Sequence, residues 1–279
     1  MKRLTYLWFA VAATLFAAGS MPAAEKLNAV KVVADVAYHT GDGVDAERHK
    51  LDLYLPEGKS GVPVVVFFHG GGYQKGDRKG AAQFGETLAR QGVAVAAVGY
   101  RLVPAARYPA PVEDGAKAVA WVQKHVAEHG GAADRLYLAG HSAGGHLAAL
   151  LATDNQYLKA AGADAAAVKG VISLSGLYAV PDDRAAVFGG DAARKQASPQ
   201  HHLRADLPPF FLAYADKDNP DKDKHTAAFA DALKAKKVAA TVYVGKDRDH
   251  GTLFSKIADG DPTGQAVLAF IHATEADKK

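Results

Sequence analysis

The sequence predicts an α/β fold built on a mostly parallel, doubly wound sheet. Short apolar runs rich in β-branched and aromatic residues alternate with longer stretches of helical composition. This alternation is typical of a parallel sheet covered by helices on both faces, where ligands bind at the carboxyl ends of the strands. No long linker, internal repeat or low-complexity tract appears after residue 25, which indicates one domain over residues 25–279.

Eight segments have the composition of strands. Residues 30–38 and 51–55 alternate apolar and polar side chains, which predicts strands with one exposed face. Four continuous apolar runs are typical of strands buried on both faces, and two later runs extend the series. These six segments are residues 64–68, 93–98, 136–139, 171–174, 210–214 and 241–244.

Helical composition and spacing predict five helices between these strands. They cover residues 81–91, 113–128, 142–153, 221–237 and 265–275. Residues 176–207 interrupt the alternation with prolines, charged residues and a Gly-Gly pair. We expect this segment to form a short lid over the strand ends.

The first 24 residues have the pattern of a secretory signal peptide. Lys2 and Arg3 precede an apolar run over residues 4–18, and small residues follow over 19–24. The run is shorter than the roughly 20 residues that cross a bilayer, which favours a cleaved signal over an uncleaved anchor. Cleavage after Ser20, Ala23 or Ala24 fits equally well. The expected mature protein is secreted or periplasmic and has no stable membrane span.

Composition narrows the possible chemistry. The 279 residues include no cysteine, which excludes a disulfide framework, a thiolate metal site and a cysteine nucleophile. The formal net charge of +3 is too small to indicate a nucleic-acid partner. Catalysis would therefore depend on serine, histidine, carboxylates and backbone amides.

The strongest motif is GHSAG at residues 140–144, between a predicted strand and a predicted helix. This context is that of a nucleophile elbow, a tight strained turn that exposes a serine oxygen above the sheet. The candidate nucleophile is Ser142, beside the positive end of the helix dipole. The plain alternative is a serine that caps a helix after a glycine turn.

The second motif is HGGG at residues 69–72, directly after the buried run VVVFF. Consecutive glycines let backbone N–H groups approach a bound oxygen, as acyl transfer requires at its oxyanion. A phosphate-binding loop is the competing interpretation, but neither the GxxxxGK[ST] nor the GxGxxG spacing is present. We expect His69 to organise this loop rather than to act as a base.

Taken together, the motifs resemble the α/β-hydrolase superfamily, specifically its HGGG-bearing carboxylesterases of the hormone-sensitive-lipase-like and bacterial feruloyl-esterase-like type. The resemblance extends over roughly residues 30–275 and includes HGGGYQKGDRKG, VGYRL, RYPAPVEDGAKAVAWV, GHSAGG, SPQHHLRADLPPFF and DHGTLF. It implies an eight-stranded α/β-hydrolase fold and an esterase that needs no metal or organic cofactor. In similar esterases, residues at the positions of Gly71, Gly72 and Ala143 supply the oxyanion donors.

A serine hydroxyl needs a base and an acid, which in this fold follow the serine along the chain in the order acid, then base. His250 lies on the loop after the last predicted strand and is the expected base. The acid should follow residues 210–214, and the sequence pattern usual in similar esterases places it at Asp218. The chain has Ala215 where glycine is common, so Asp216 remains an alternative. A calcium-loop interpretation of this acidic run fails because of Pro220 and because the central glycine and the terminal glutamate are missing.

The expected function is hydrolysis of short-acyl or aryl carboxylic esters, with a small-molecule ester as substrate. Tyr73, Gln74 and His141 are candidate substrate-binding residues, although aromatic packing is the plain alternative. Two other functions remain open. One is an amide hydrolase of the arylformamidase type, and the other is an inactive α/β hydrolase that serves as a binding module.

Overall fold

The computed structural model describes residues 27–41 and 43–276. The expected signal peptide, residues 1–24, and the expected domain boundary at residue 25 both lie outside these residues. Among the helices that the structure describes, none combines the length and apolar character needed to cross a bilayer.

All eight predicted strands are present in one sheet. They are β1 (Val30–Ala37), β2 (Lys50–Pro56), β3 (Val62–Phe68), β4 (Ala94–Val98), β5 (Gly131–His141), β6 (Val168–Leu174), β7 (Phe210–Lys217) and β8 (Ala240–Asp249). Their order across the sheet is β1-β2-β4-β3-β5-β6-β7-β8. Only β2 runs against its neighbours β1 and β4, and the pairs from β4 to β8 are parallel. The predicted α/β-hydrolase fold is therefore confirmed.

Nine α-helices lie within the described residues. They are α1 (Ala82–Arg90), α2 (Ala110–His125), α3 (Ala143–Thr153), α4 (Gln156–Ala160), α5 (Ala185–Phe188), α6 (Asp191–Gln196), α7 (Lys222–Ala235), α8 (Thr252–Ser255) and α9 (Pro262–Ala276). The five long ones are α1, α2, α3, α7 and α9, which match the five predicted helices. Short helices such as α5 and α6 escaped prediction because four to six residues are too few to establish a helical periodicity.

Two hydrophobic cores lie on the two faces of the sheet. Helices α2, α3 and α7 cover one face, and α1, α8 and α9 cover the other. Along β3 the side chains alternate between the two cores, since Val64 and Val66 face one and Val65 and Phe67 face the other. The sheet is thus buried on both sides.

The expectation of an exposed face for β2 is wrong. Its polar residue Asp52 is only 3% exposed, and leucines occupy the opposite face. Asp52 accepts hydrogen bonds from Nε of Arg78 at 3.1 Å and from the backbone N–H of Asp35 at 2.8 Å. The alternation of polarity in this strand therefore reflects a buried ion pair rather than contact with solvent.

The irregular segment at residues 176–207 joins β6 to β7. It contains α5, α6 and two 3₁₀ helices, Asp182–Arg184 and Pro199–His202. The backbone N–H of Tyr108 donates to the carbonyl of Val187 at 3.1 Å, which ties the segment to the chain just before α2. We refer to residues 176–207 as the lid segment.

Candidate active site

Ser142 occupies a strained turn between β5 and α3. Its backbone angles are φ 54° and ψ −116°, a conformation that costs energy and marks a nucleophile elbow. The turn depends on a close approach of Gly144 to β3, since a Cβ there would lie 1.9 Å from the carbonyl oxygen of Phe68. The N–H of Ser142 also donates to the carbonyl of Leu174 at 2.8 Å, which ties the turn to β6.

The structure brings His250 against Ser142. The distance from Nε2 of His250 to Oγ of Ser142 is 2.9 Å, and the distance from its Nδ1 to Oδ1 of Asp218 is 2.7 Å. An ionised carboxylate only accepts, so Nδ1 carries the proton and donates to Asp218. Nε2 is then the acceptor that faces the serine hydroxyl. This is the hydrogen-bonded order in which a serine becomes nucleophilic.

Asp218 is held in its ionised form by several donors. Its Oδ2 accepts from Oγ of Ser175 at 2.5 Å and from the N–H of Ala215 at 3.2 Å, and its Oδ1 accepts from the N–H of Asn219 at 2.8 Å. Burial alone would raise the pKa of Asp218. The hydrogen bonds from His250, Ser175 and the backbone outweigh burial and hold this pKa well below its ordinary value.

The alternative acid, Asp216, has a different position. Its side chain is exposed and accepts from the N–H groups of Asp247 and Arg248 at 3.0 and 3.1 Å. These bonds stabilise the turn just before His250, and they lower the pKa of Asp216. Asp216 therefore shapes the loop that carries the base, whereas Asp218 contacts the imidazole itself.

The HGGG loop lies directly beside Ser142. A Cβ on Gly70 would lie 3.4 Å from Cβ of Ser142. Gly71 has φ +117°, and a Cβ there would lie 2.0 Å from the carbonyl oxygen of Lys75, so only glycine fits. The N–H groups of Gly71, Gly72 and Ala143 find no acceptor within residues 27–41 and 43–276. They remain available to bind an oxygen at the serine.

His69 organises this loop from below. Its Nδ1–H donates to the carbonyl of Gly70 at 2.7 Å, and its ring stacks on Tyr100 with a centroid distance of 4.2 Å. The hydroxyl of Tyr100 donates to the carbonyl of His69 at 2.6 Å. Burial lowers the pKa of His69 to about 4, so the ring is neutral at physiological pH. It has no contact with Ser142 and fits the expected structural role.

The three expected substrate-binding residues differ in their surroundings. Tyr73 is 3% exposed, and its hydroxyl donates to Nδ1 of His146 at 2.6 Å. His141 is half-buried, and its Nε2–H donates to the carbonyl of His250 at 2.7 Å. Gln74 is exposed at the rim. Tyr73 and His141 thus position the site through protein contacts, and Gln74 is the one whose side chain is open to solvent.

Sequence reasoning missed two residues of this site. Ser175 contacts Asp218, and His146 links the oxyanion loop to the lid segment because its Nε2–H donates to the carbonyl of Ala197 at 2.7 Å. Ser175 directly follows β6 at the carboxyl edge of the sheet, which is a signal that could have identified it. His146 lies within the apolar helix α3, where the local pattern gives no such signal.

Four other histidines lie elsewhere in the fold. His225 and His272 are exposed, as is His201 in the lid segment, and Nε2 of His202 faces the carbonyl of Gln196 at 2.8 Å. None of these four contacts Ser142. Within the described part of the chain, no group of three or more ligating side chains is arranged to hold a metal ion.

Comparisons with known proteins point in the same direction as this geometry. The model of the BD-FAE family matches residues 51–233, which is more than half of the chain. A probable isoprenylcysteine alpha-carbonyl methylesterase from Arabidopsis thaliana is 29% identical over 238 residues, which cover 75% of this chain and 50% of the plant protein. The chain thus spans about half the length of that relative.

Two further proteins are similar over most of the chain. A kynurenine formamidase from Salmo salar is 29% identical over 245 residues, which cover 83% of this chain and 79% of the formamidase. The crystal structure of an inhibited esterase B from Lactobacillus rhamnosis superposes with a TM-score of 0.78 at 23% identity, covering 89% of this chain and 88% of the esterase. At that identity the superposition supports the fold alone.

Proposed function

Because the chain belongs to the BD-FAE family, a feruloyl-esterase-like group of α/β hydrolases, we propose that it is a serine hydrolase that cleaves carboxylic esters. The observation that carries this proposal is the continuous hydrogen-bonded series from Ser142 through His250 to Asp218, at 2.9 and 2.7 Å. The unoccupied backbone donors beside Ser142 support it, because acyl transfer needs both a nucleophile and an oxyanion site.

In the proposed first step, Oγ of Ser142 attacks the ester carbonyl while Nε2 of His250 accepts its proton. The carbonyl oxygen becomes negative and binds the N–H groups of Gly71, Gly72 and Ala143. Losing one such donor in other enzymes costs about 2.7–4 kcal/mol of transition-state stabilisation. His250 then gives the proton to the leaving alcohol, and the acyl group stays on Ser142.

In the second step, water attacks the acyl-enzyme while His250 accepts its proton. His250 then returns the proton to Oγ of Ser142 as the acyl–serine bond breaks and the carboxylic acid leaves. Asp218 stabilises the imidazolium in both steps through its 2.7 Å bond to Nδ1. Its lowered pKa keeps the carboxylate charged throughout the neutral range. Every proton transfer uses this chain's own residues, and water is the only co-reactant.

We further propose that the substrates are short-acyl or aryl esters. Ser142 and His250 are only partly covered, with His250 29% exposed in its side chain, so the lid segment forms no deep tunnel over them. The rings of Tyr73 and Phe188 pack together beneath the HGGG loop, with a centroid distance of 5.5 Å. They occupy space that a long acyl chain would need.

An arylformamidase activity is the second candidate. It is favoured by the likeness to the salmon kynurenine formamidase, of which the alignment covers 79%. The same nucleophile and oxyanion donors would serve a formamide carbonyl, since both reactions pass through a tetrahedral intermediate. A binding module without activity is disfavoured by the intact hydrogen bonds between Ser142, His250 and Asp218.

A substrate panel tests the proposal and separates the candidates. The panel contains 4-nitrophenyl esters of increasing acyl length, the matching 4-nitroanilides and N-formylkynurenine. We expect ester turnover that falls as the acyl chain lengthens. Turnover of the anilides or of N-formylkynurenine without ester turnover would reject the esterase in favour of the amide hydrolase, and no turnover of any compound would support the binding module.

The domain assignment and location remain part of this proposal. Residues 25–279 would form one catalytic domain after removal of the first 24 residues, and the ester would be met outside the cytoplasm. Expression with and without residues 1–24, followed by fractionation and N-terminal sequencing, tests the export and identifies the cleavage position. Retention of the full-length chain in the cytoplasm would reject it.

A further inference from the structure

A positively charged side chain of the lid segment reaches the oxyanion loop. Arg184 ends the 3₁₀ helix Asp182–Arg184. A Cβ placed on Gly72 would lie 3.9 Å from Nη1 of Arg184, so the guanidinium lies in contact range of this proposed donor residue. Half of the arginine side chain is exposed, at 50%, and its ion-pair partner in the described chain is the neighbouring Asp183 at 3.7 Å. An exposed pair of this length is weak.

A second cation lies beside the turn that follows β6. Lys222 is the first residue of α7, and its Nζ donates to the carbonyl of Gly176 at 2.9 Å. Gly176 packs on the first turn of α3, because a Cβ on Gly145 would lie 3.1 Å from Cα of Gly176. Lys222 is half-buried and forms no ion pair with a carboxylate in the part of the chain that the structure describes.

The charges of Asp218 and Arg184 both act on Lys222. Burial lowers the pKa of Lys222, the charge of Asp218 opposes that effect, and the charge of Arg184 lowers it further. The oxygens of Asp218 accept from His250 and Ser175, and Lys222 forms no ion pair with Asp218 in the described residues. Within the described residues, the ion pairs of these two cations are limited to the exposed contact between Arg184 and Asp183.

We propose that this site prefers esters that carry a carboxylate a few atoms from the scissile carbonyl. Arg184 and Lys222 would bind that carboxylate, while the oxyanion loop binds the carbonyl oxygen. A guanidinium is suited to this task because its donors match the two oxygens of a carboxylate. The inference rests on the proposed esterase function and names a substrate class for the same site.

The experiment compares pairs of esters that differ only in charge. For a carboxylate on the acyl side, ethyl hydrogen succinate is compared with ethyl succinamate. For a carboxylate on the alcohol side, 4-acetoxybenzoate is compared with 4-acetoxybenzamide. We expect kcat/KM for the charged ester to exceed that for its amide by at least about fivefold in one of the two pairs, as for a hydrogen bond between charged groups. The pair that shows the preference identifies the side of the ester that carries the carboxylate.

Variants then assign the preference to the two cations. Arg184→Gln and Lys222→Gln should each bring the ratio between charged and neutral ester toward one. The control is Lys195→Gln, which removes an exposed lysine from α6 and should leave the ratio unchanged. Because Lys222 also bonds the backbone of Gly176, its variant is assayed with the neutral ester too, and the ratio rather than the rate is the readout.

The failures of the two proposals are distinguishable. If neither member of any pair nor any 4-nitrophenyl ester is hydrolysed, the esterase function fails. If the neutral esters are hydrolysed as well as or better than the charged ones, the esterase stands and the carboxylate preference is overturned. A preference that persists in Arg184→Gln and Lys222→Gln equally overturns it.

Discussion

The imidazole of His141 donates a hydrogen bond from Nε2 to the backbone carbonyl of His250, at 2.7 Å. This bond joins the residue before the nucleophile to the residue that serves as its base. The ring of His141 also stacks on Phe254 with a centroid distance of 5.5 Å. Burial, and then the charge of His250, lower the pKa of His141 to about 4, so the ring stays neutral when His250 accepts a proton.

Replacing His141 should therefore misplace the base without removing it. His141→Phe keeps the stacking on Phe254 but loses the donor, and we expect kcat/KM to fall about tenfold, as for one hydrogen bond to a catalytic element. His141→Gln retains an N–H donor and should recover most of the activity. Steady-state kinetics with a short-acyl aryl ester measures both, and equal activity of the two variants would argue against this role.

A pair of matched variants tests the identity of the acid. Asp218→Asn leaves the shape intact but removes the charge that holds the tautomer of His250, and kcat should fall by about 10⁴, as in other triads. Asp216→Asn alters only the turn at Asp247 and Arg248, so a loss of less than about tenfold is expected. A larger loss of kcat in Asp216→Asn than in Asp218→Asn would indicate that Asp216 is the acid.

The position of the acid shows what the sequence could predict. Ser142 and His250 were identifiable because each has a local pattern, one between a strand and a helix and the other on a loop after the last strand. Asp216 and Asp218 are two residues apart in an acidic run, and only the resemblance to similar esterases favoured Asp218. They differ in three dimensions, since only Asp218 faces the imidazole, where it also accepts from Ser175.

The hydrogen bond between Tyr73 and His146 supports the oxyanion loop from beneath. Tyr73→Phe removes the hydroxyl and leaves the buried Nδ1 of His146 without a donor, which should lower the free energy of unfolding by about 1–3 kcal/mol. We expect kcat to fall several-fold with little change in KM, because the loop acts on the transition state. Urea denaturation and steady-state kinetics measure these effects. An unchanged kcat would show that Tyr73 does not position the oxyanion loop.

Buried neutral histidines should make the fold sensitive to mild acid. Burial lowers the pKa of His69, His141 and His146 to about 4, from an ordinary value near 6.5. Between these values the unfolded chain binds protons that the folded chain does not. The contribution of these neutral histidines to the free energy of unfolding is therefore fully present above about pH 6.5. It decreases as the pH falls toward 4, by up to about 1.4 kcal/mol per pH unit for each histidine.

Urea denaturation at pH 7.5, 6.0 and 5.0 tests this slope. In His146→Gln the side chain can still donate to Ala197 and accept from Tyr73, but it cannot be protonated. That variant should lose stability less steeply with falling pH than the unmodified chain does. Identical slopes in the two proteins would show that His146 does not contribute to the acid sensitivity.

The fold was more predictable than the packing around the site. Eight strands and five long helices follow from the alternation of short apolar runs and helical stretches. The hydrophobic periodicities of strands and of helices are both local properties of the sequence. The burial of β2 was not predictable, since Asp52 looks exposed until Arg78 is brought to it from more than twenty residues away. The roles of Tyr73 and His141 likewise depend on contacts with His146 and His250 that form only in the folded chain.

Covalent labelling tests whether Ser142 is the nucleophile of an acyl-transfer reaction. The protein is treated with an alkyl fluorophosphonate, digested and analysed by mass spectrometry, with Ser142→Ala as the matched control. We predict one phosphonate on the peptide that contains Ser142, loss of ester turnover in proportion to labelling, and neither label nor turnover in Ser142→Ala. Full ester turnover in Ser142→Ala, or labelling at another serine that abolishes turnover, would contradict the account.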